Sequence, residues 1–312
     1  MKAFILDPLW ATLADDDIKK KLDDAGVEVI VKKEIAPISE FTALFEGTED
    51  RILCINPDYV GWKVSSEDYK NIPSLKAIMP ESTSFDWINS SYADDNNIPI
   101  CNIKGFSMQA VAEWAVTMMM NLARQTPRLI KDGFPLDFDK DFMKYRGQQI
   151  KGKTAGIIGL GRNGGAIAKA CEGLGMNVVY WSHSEKQNSY RCVELDDLLQ
   201  TADFIFPTMA INDETKHILT DEKLSLMKES ASLISTVHGI FNKKMVLEMV
   251  ADNRLFGFGF EAEPGSFSSY KGNVWAAPAY AWVTEESMYN SIVQLTDNMI
   301  AASKGEFTNR VN

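Results

Sequence analysis

Gly159-Leu160-Gly161-Arg162-Asn163-Gly164 constrains this chain more than any other stretch. It follows the short apolar run Thr154-Ala155-Gly156-Ile157-Ile158 and precedes Ala166-Ile167-Ala168-Lys169-Ala170-Cys171, which reads as a helix. A second apolar run, Asn177-Val178-Val179-Tyr180-Trp181, comes next. Strand, G-x-G-x-x-G, helix and strand within about 30 residues is the arrangement that binds a dinucleotide. The first glycine permits the tight turn, the second lets the backbone approach a pyrophosphate, and the third lets helix and strand pack closely. The helix N-terminus then offers unpaired N–H groups and a partial positive charge to phosphates. The competing reading is a glycine-rich turn with no ligand.

A chain of 312 residues has room for two ordinary domains. Its hydrophobic share of 45% and charged share of 24% fit a globular protein with a sizeable core. The net charge of −11 gives no support to a surface that tracks nucleic-acid phosphates. No apolar run approaches the roughly 18–20 residues of a membrane span, and the first residues do not read as a signal peptide. Cys54, Cys101, Cys171 and Cys192 are scattered, without C-x-x-C or H-x-x-x-H spacing. The expectation is a cytoplasmic protein with reduced cysteines, no metal, and no nucleic-acid or membrane partner.

Short apolar runs at Ala3–Leu6, Val27–Val31, Ile52–Ile55, Ala77–Met79 and Ile98–Cys101 predict strands in a first α/β domain, with a helix over Leu13–Ala25. Met108 to Arg124 predicts a long helix, apolar nearly all round and therefore buried. Its Met118-Met119-Met120 triplet reads as core packing. Asp132 to Gln149 reads as a connecting arm. Beyond the glycine stretch, strands are expected at Phe204–Phe206, Ser232–Thr236, Leu255–Phe260 and Val274–Ala277. Helices are expected at Leu195–Leu199, Asp221–Met227 and Asn242–Val250, with a closing helix over Glu285–Lys304 that returns to the first domain. Strands alternating with helices imply parallel sheets.

In this context the chain resembles the D-isomer-specific 2-hydroxyacid dehydrogenase family over nearly its whole length. The resemblance rests on motifs in order: Ala110-Val111-Ala112-Glu113, Gly156-Ile157-Ile158-Gly159-Leu160-Gly161, Ala202-Asp203-Phe204-Ile205, Glu214-Thr215-Lys216-His217-Ile218-Leu219, and Leu226-Met227-Lys228 followed by Ser235-Thr236-Val237-His238-Gly239. It implies an α/β fold of two Rossmann-like, doubly wound parallel-sheet domains with an interdomain cleft. The substrate domain would comprise residues 1–103 plus 286–312, and the dinucleotide-binding domain residues 104–285. It also implies an NAD(P)-dependent oxidoreductase, hydride transfer between nicotinamide and a carbonyl or hydroxyl, a small-molecule substrate and a homodimer. By the same resemblance the dinucleotide would lie on Gly159, Gly161, Arg162, Asn163, Gly164, Ser182, His183, Ser184, Thr208, Met209, Thr215, Thr236, Val237 and Glu261.

The chain departs from the family where its chemistry should be. The position that matches the family's carboxylate-gripping Arg is His238, and the one that matches its proton-donating His is Ala279. The family's Glu is best matched by Glu263, which is expected to pair with His238. His238 can supply a proton and a positive charge near neutral pH, but not a planar bidentate fork. A packing or hydrogen-bonded His is the alternative. Tyr280 and Tyr270 are further candidate proton donors. Ser82 and Thr83 are expected to offer hydroxyls to a substrate, while Glu81 would repel an anion if turned inward. Trp87, Trp114 and Trp282 either crowd the cleft or lie in the core. No acid follows the second cofactor strand, where one usually binds the ribose of NAD. Ser182, His183, Ser184 and Lys186 stand there instead, so the cofactor reading leans to NADP, with NAD also able to fit. His217 is a weaker candidate on the surface. The rival to a working enzyme is a cofactor-binding pseudoenzyme or sensor.

Overall fold

A computed structural model describes the chain except for Phe138, Glu185, Lys186, Gln187, Asn188, Ala210, Ile211, Asp213 and His217, and of Ser268 it describes the backbone alone. Lys186 and His217 therefore lie outside the described residues. Two compact units divide the chain: Met1–Ser107 with Thr284–Asn312, and Met108–Val283. Each is a Rossmann-like, doubly wound parallel sheet.

In the first unit, β1 (Lys2–Leu6), β2 (Glu28–Lys32), β3 (Arg51–Ile55) and β4 (Leu75–Pro80) run parallel in the order β2-β1-β3-β4. Strands covered on both faces read as continuous apolar runs, and Ile52-Leu53-Cys54-Ile55 is fully buried. Alternate side chains separate two cores. Phe4, Leu53, Ile55 and Ile78 pack with Phe41, Leu44 and Tyr69. Ala3, Ile5, Ile52, Cys54 and Met79 pack with Ile18, Leu22 and, from the closing helix Glu285–Ser303, Ile292, Leu295 and Met299. Strand order reverses between β1 and β3, and Asp7 and Asn56 follow these two strands. Asn56 Nδ2 donates to Asp7 Oδ1 at 3.3 Å.

Two expectations differ in this unit. Ile98–Cys101 forms no strand, only the single bridges Ile78–Ile100 and Cys101–Arg310. Ile78 N–H donates to Pro99 O and Cys101 N–H to Ile78 O, both at 2.9 Å, but Pro99 has no N–H with which to extend a ladder. The helix expected over Leu13–Ala25 is two helices, Trp10–Leu13 and Asp16–Asp24. Asp15 restarts the second by accepting from Ile18 N–H at 2.8 Å.

The second unit contains β5 (Thr154–Ile158), β6 (Asn177–Trp181), β7 (Arg191–Cys192), β8 (Phe204–Pro207), β9 (Ser232–Ser235), β10 (Gly257–Glu261) and β11 (Val274–Ala277). All pairings are parallel, in the order β11-β10-β9-β8-β5-β6-β7. That is the usual dinucleotide-fold order, reversing between β5 and β8. Helix Met108–Ala123 lies over β9 and β10. A Cβ on Gly259 would come within 3.3 Å of Met118 and Leu122, so the glycines of Gly257-Phe258-Gly259-Phe260 let this helix approach. The alternate positions stack Phe258 on Phe260, centroids 4.5 Å apart.

The long helix was expected to be buried all round. Met118 and Met119 are indeed fully buried, but Glu113, Thr117 and Met120 form an exposed stripe. The two-residue β7 was not expected from sequence, being too short to show a period. The four cysteines are free. Burial pushes the Cys101 thiol up to about 11 and that of Cys171 to about 12, so both are unreactive packing groups. No described helix is long and apolar enough to cross a membrane, and no cluster of three metal-ligating side chains occurs among the described residues.

Glu81, just beyond β4, turns its carboxyl into the first unit. Ser291 Oγ of the closing helix donates to Glu81 Oε1 at 2.7 Å. Burial, then the charge of Asp7, holds the Glu81 carboxyl well above the usual carboxylate range. Asp7 is raised too, chiefly by burial. A carboxyl raised by folding binds its proton more tightly in the native state. Its stabilisation is therefore complete below the ordinary carboxylate pKa and is lost as pH rises through the raised value. Glu81→Gln keeps an acceptor for Ser291 and removes one ionisation. Its melting temperature should exceed wild type at pH 8 and converge with it at pH 4, as read by calorimetry across that range.

Candidate functional site

The glycine turn sits at the order reversal of the second unit. Gly159 has φ +96°, and its N–H donates to Trp181 O at 2.8 Å. A Cβ there would come within 3.1 Å of Met209 N. Gly164 is closer still: a Cβ would meet Gly159 O at 2.2 Å and Thr208 Oγ1 at 2.6 Å. Thr208 Oγ1 lies 2.5 Å from Gly159 O, so this hydroxyl clamps the turn. Gly161 differs from both. It is the N-cap of helix Arg162–Gly173, with φ −87°, and a Cβ there would meet nothing within 4 Å among the described residues. No side chain caps this helix end, and no acid occupies its first turn. Protein packing thus demands glycine at 159 and 164 but not at 161. The open space before unpaired N–H groups fits a pyrophosphate, with Arg162 and Asn163 in the first helical turn.

Beside the turn, a groove of about 410 Å³ is lined by Trp181, Ser182, Arg191, Cys192, Val193, Glu194 and Asp197. It lies where β6 and β7 end and helix Leu195–Thr201 begins. Ser182 belongs to this wall. His183 packs its ring edge-on against Trp181 at 5.0 Å, and Ser184 is exposed. Thr215 is buried, its Oγ1 accepting from Asn212 N–H at 2.9 Å.

Thr236, Val237 and His238 follow β9. The parallel pairing of β9 with β10 sets Phe260 opposite Ser235, so Glu261 emerges beside this segment. Glu261 Oε2 lies 3.4 Å from His238 Nε2; the carboxylate is 11% exposed and the imidazole 62%. The acid placed on His238 is therefore Glu261 and not, as the sequence suggested, Glu263. Glu263 is exposed two residues past the strand, where the chain turns and Ser266 Oγ donates to Glu263 O at 2.6 Å. Ala279 and Tyr280 are exposed, and Tyr280 N–H donates to Pro278 O at 2.7 Å. The Tyr270 ring packs edge-on against Phe260 at 5.4 Å, as a core-facing group.

In the first unit, Ser82 is buried. Its hydroxyl donates to Ser84 O at 2.6 Å and accepts from Trp87 Nε1 at 3.2 Å. Thr83 is exposed, and its carbonyl accepts from Asn102 Nδ2 at 2.6 Å. Trp87 belongs to the core of this unit, and Trp114 packs against a core cluster of the other. Sequence reasoning missed Arg191, on an edge strand too short to be seen, and the pairing of Glu261. The strand pattern ending at Phe260 pointed to the pairing, since Glu261 ends β10 at the sheet's C-terminal edge.

A sequence profile described as D-isomer specific 2-hydroxyacid dehydrogenase, NAD binding domain, matches residues 116–278. Glyoxylate reductase of Thermococcus litoralis is 30% identical over 260 residues, 78% of this chain and 78% of that protein. A solved protein of Thermus thermophilus matches with a TM-score of 0.83 over 100% of both chains at 23% identity. An acyclic imino acid reductase solved with NADPH and D-Arg matches with a TM-score of 0.82 over 100% of both chains, also at 23% identity. At such identities the structural matches bear on the fold.

Two of these glycines should separate in mutagenesis. Gly164→Ala is expected to destabilise the protein by about 1–3 kcal/mol, since its methyl meets backbone. Gly161→Ala should leave the melting temperature unchanged and weaken dinucleotide binding on the order of tenfold, read by calorimetric titration.

Proposed function

The chain belongs to the D-isomer specific 2-hydroxyacid dehydrogenase family, and from that premise we propose that it is an NAD(P)-dependent oxidoreductase acting on a carbonyl or hydroxyl substrate. The observation that carries this reading is Gly161, open to space before an uncapped helix N-terminus. The unit Met108–Val283 holds the dinucleotide, and the other unit serves the substrate. When bound, the nicotinamide supplies or accepts the hydride.

The chain's own residues handle the proton. Glu261 Oε2, 3.4 Å from Nε2 of His238, pairs with the ring when it is protonated and orients it. Nδ1 is then the nitrogen that faces a substrate. The Nδ1 proton of a His238 imidazolium would pass to the substrate oxygen, leaving a neutral imidazole beside Glu261. Oxidation runs the same transfer backwards. One imidazole cannot also clamp a carboxylate through a planar fork, so the substrate differs from a small 2-keto acid held in the usual way. Ser82, Thr83 and Tyr280 are proposed substrate contacts, through backbone and exposed groups.

The dinucleotide preference leans to NADP. Arg191 and Ser182 on the groove wall suit a 2′-phosphate, while Glu194 and Asp197 on the same lining let NAD fit. We also propose a cytoplasmic homodimer built on the second unit, which exposes Phe134, Leu136, Phe142 and Met143. The resemblance favours a second reading, a cofactor-binding sensor without turnover, since it matches Ala279 to the family's proton donor.

A turnover screen with NADH and NADPH over 2-keto acids, aldehydes and ketones decides between them. His238→Ala should lower turnover about 10²–10⁴-fold with the dinucleotide Kd unchanged. Silence of the wild type on every substrate, with dinucleotide bound, leaves the sensor. Arg191→Ala should raise KM for NADPH roughly tenfold and spare NADH; equal effects on both remove the NADP preference.

A further inference from the structure

Trp62 is poorly explained by folding alone. It follows β3 through the short turn Pro57–Val60 and Gly61. Its backbone is left-handed, with φ 56°, directly after Gly61 at φ 62°. A bulky side chain in that region is a genuine outlier, and such outliers persist only where surrounding bonds hold them. Here three contacts do so. Trp62 N–H donates to Pro57 O at 2.9 Å. The indole Nε1 donates to Asp58 Oδ1 at 2.7 Å. The ring meets Trp87 edge-to-face at 6.2 Å and 68°. Yet Trp62 remains 49% exposed. Its only polar side-chain atom is bonded to Asp58, so what it leaves open is ring carbon.

Its position is as telling as its conformation. In open parallel sheets, ligands bind beyond the C-terminal ends of the strands. Trp62 follows β3, and the Ser82–Ser84 loop follows the adjacent β4. Trp87 joins the two: Trp62 packs on it, and its Nε1 lies 3.2 Å from Ser82 Oγ and 3.1 Å from Ser84 O. Two polar side chains of that loop are turned inward, Ser82 to Trp87 and Ser84, and Glu81 to Ser291, while Thr83 and Ser84 are exposed. The indole is a large aromatic group that this edge presents, beside the exposed aliphatic Leu9 and Ile35 after the other two strands.

We propose that Trp62 is the specificity platform of the first unit, stacking on an aryl or bulky apolar group of the substrate. The preferred carbonyl compound then carries such a side chain. The word substrate rests on the oxidoreductase reading; the binding does not.

The test uses the full-length protein saturated with NADH or NADPH, in calorimetric titrations and initial rates with glyoxylate, pyruvate, phenylpyruvate and a 2-oxo acid bearing a guanidinium side chain. Trp62→Asn removes the ring while tolerating the left-handed backbone, and Trp62→Phe keeps an aromatic ring on Trp87. Trp62→Asn should weaken phenylpyruvate roughly tenfold, in Kd or KM rather than kcat, and leave glyoxylate unchanged. Trp62→Phe should stay within about threefold of wild type. An equal loss for all four acids, a loss confined to the guanidinium acid, or no phenylpyruvate binding by wild type overturns the platform. Trp62-dependent binding of phenylpyruvate without turnover upholds it while sinking the oxidoreductase reading. Turnover of glyoxylate with no aryl preference does the reverse.

Discussion

The second unit depends on how closely helix Arg162–Gly173 approaches β5. Gly159 O sits 2.2 Å from where a Cβ of Gly164 would be, so the contact exists only without that atom. The same approach presses Gly159 against Met209 and brings Thr208 Oγ1 onto the turn. Strand β8 is thereby tied to the turn after β5, at the point where strand order reverses. The helix N-terminus is left facing open space at that reversal. Phosphate binding, if packing is this tight, requires no further protein machinery: the N–H groups and the dipole are already aimed.

A second close approach places the other end of the site. Gly257 and Gly259 let helix Met108–Ala123 lie on β10. The strand then carries its bulk on the opposite face, as stacked Phe258 and Phe260. Register with β9 brings Glu261 out beside His238. The pairing of these two residues is thus set by strand register, which a change two residues along the sequence would not preserve. Glu263 fails on that ground: it has left the sheet before the chain turns.

Legibility in the sequence followed the same division. Strands buried on both faces announce themselves as apolar runs, and the glycine spacing with its flanking strands announced the dinucleotide fold. What resisted reading was set by pairing across space. Pro99 ends a ladder that its apolar neighbours suggested. Arg191 sits on a strand of two residues, too short to carry a pattern. The exposed stripe Glu113–Thr117–Met120 was hidden by an average over an apolar helix. Glu81 looked like a threat to anionic ligands, yet it turns into the unit, where Ser291 donates to it and burial raises its carboxyl well above the usual range. Side-chain direction after a strand end is not written in the residue types.

These directions bear on how a substrate could be held. On the proposed mechanism, His238 spends Nε2 on Glu261 and has one nitrogen left, which the proton transfer uses. Nothing remains on that ring to grip a carboxylate, and Ala279 contributes no polar group. In the first unit, the hydroxyl of Ser82 is consumed by Trp87 and Ser84. Beside the proposed contacts of Thr83 and Tyr280, binding energy can then come from surface that asks for no polar partner, and an indole face needs only to be dry on contact. Trp62 supplies such a face from a position fixed by its own backbone, its indole N–H to Asp58 and its packing on Trp87. On that proposal the chain discriminates by shape and apolar area, with proton delivery resting on a single imidazole.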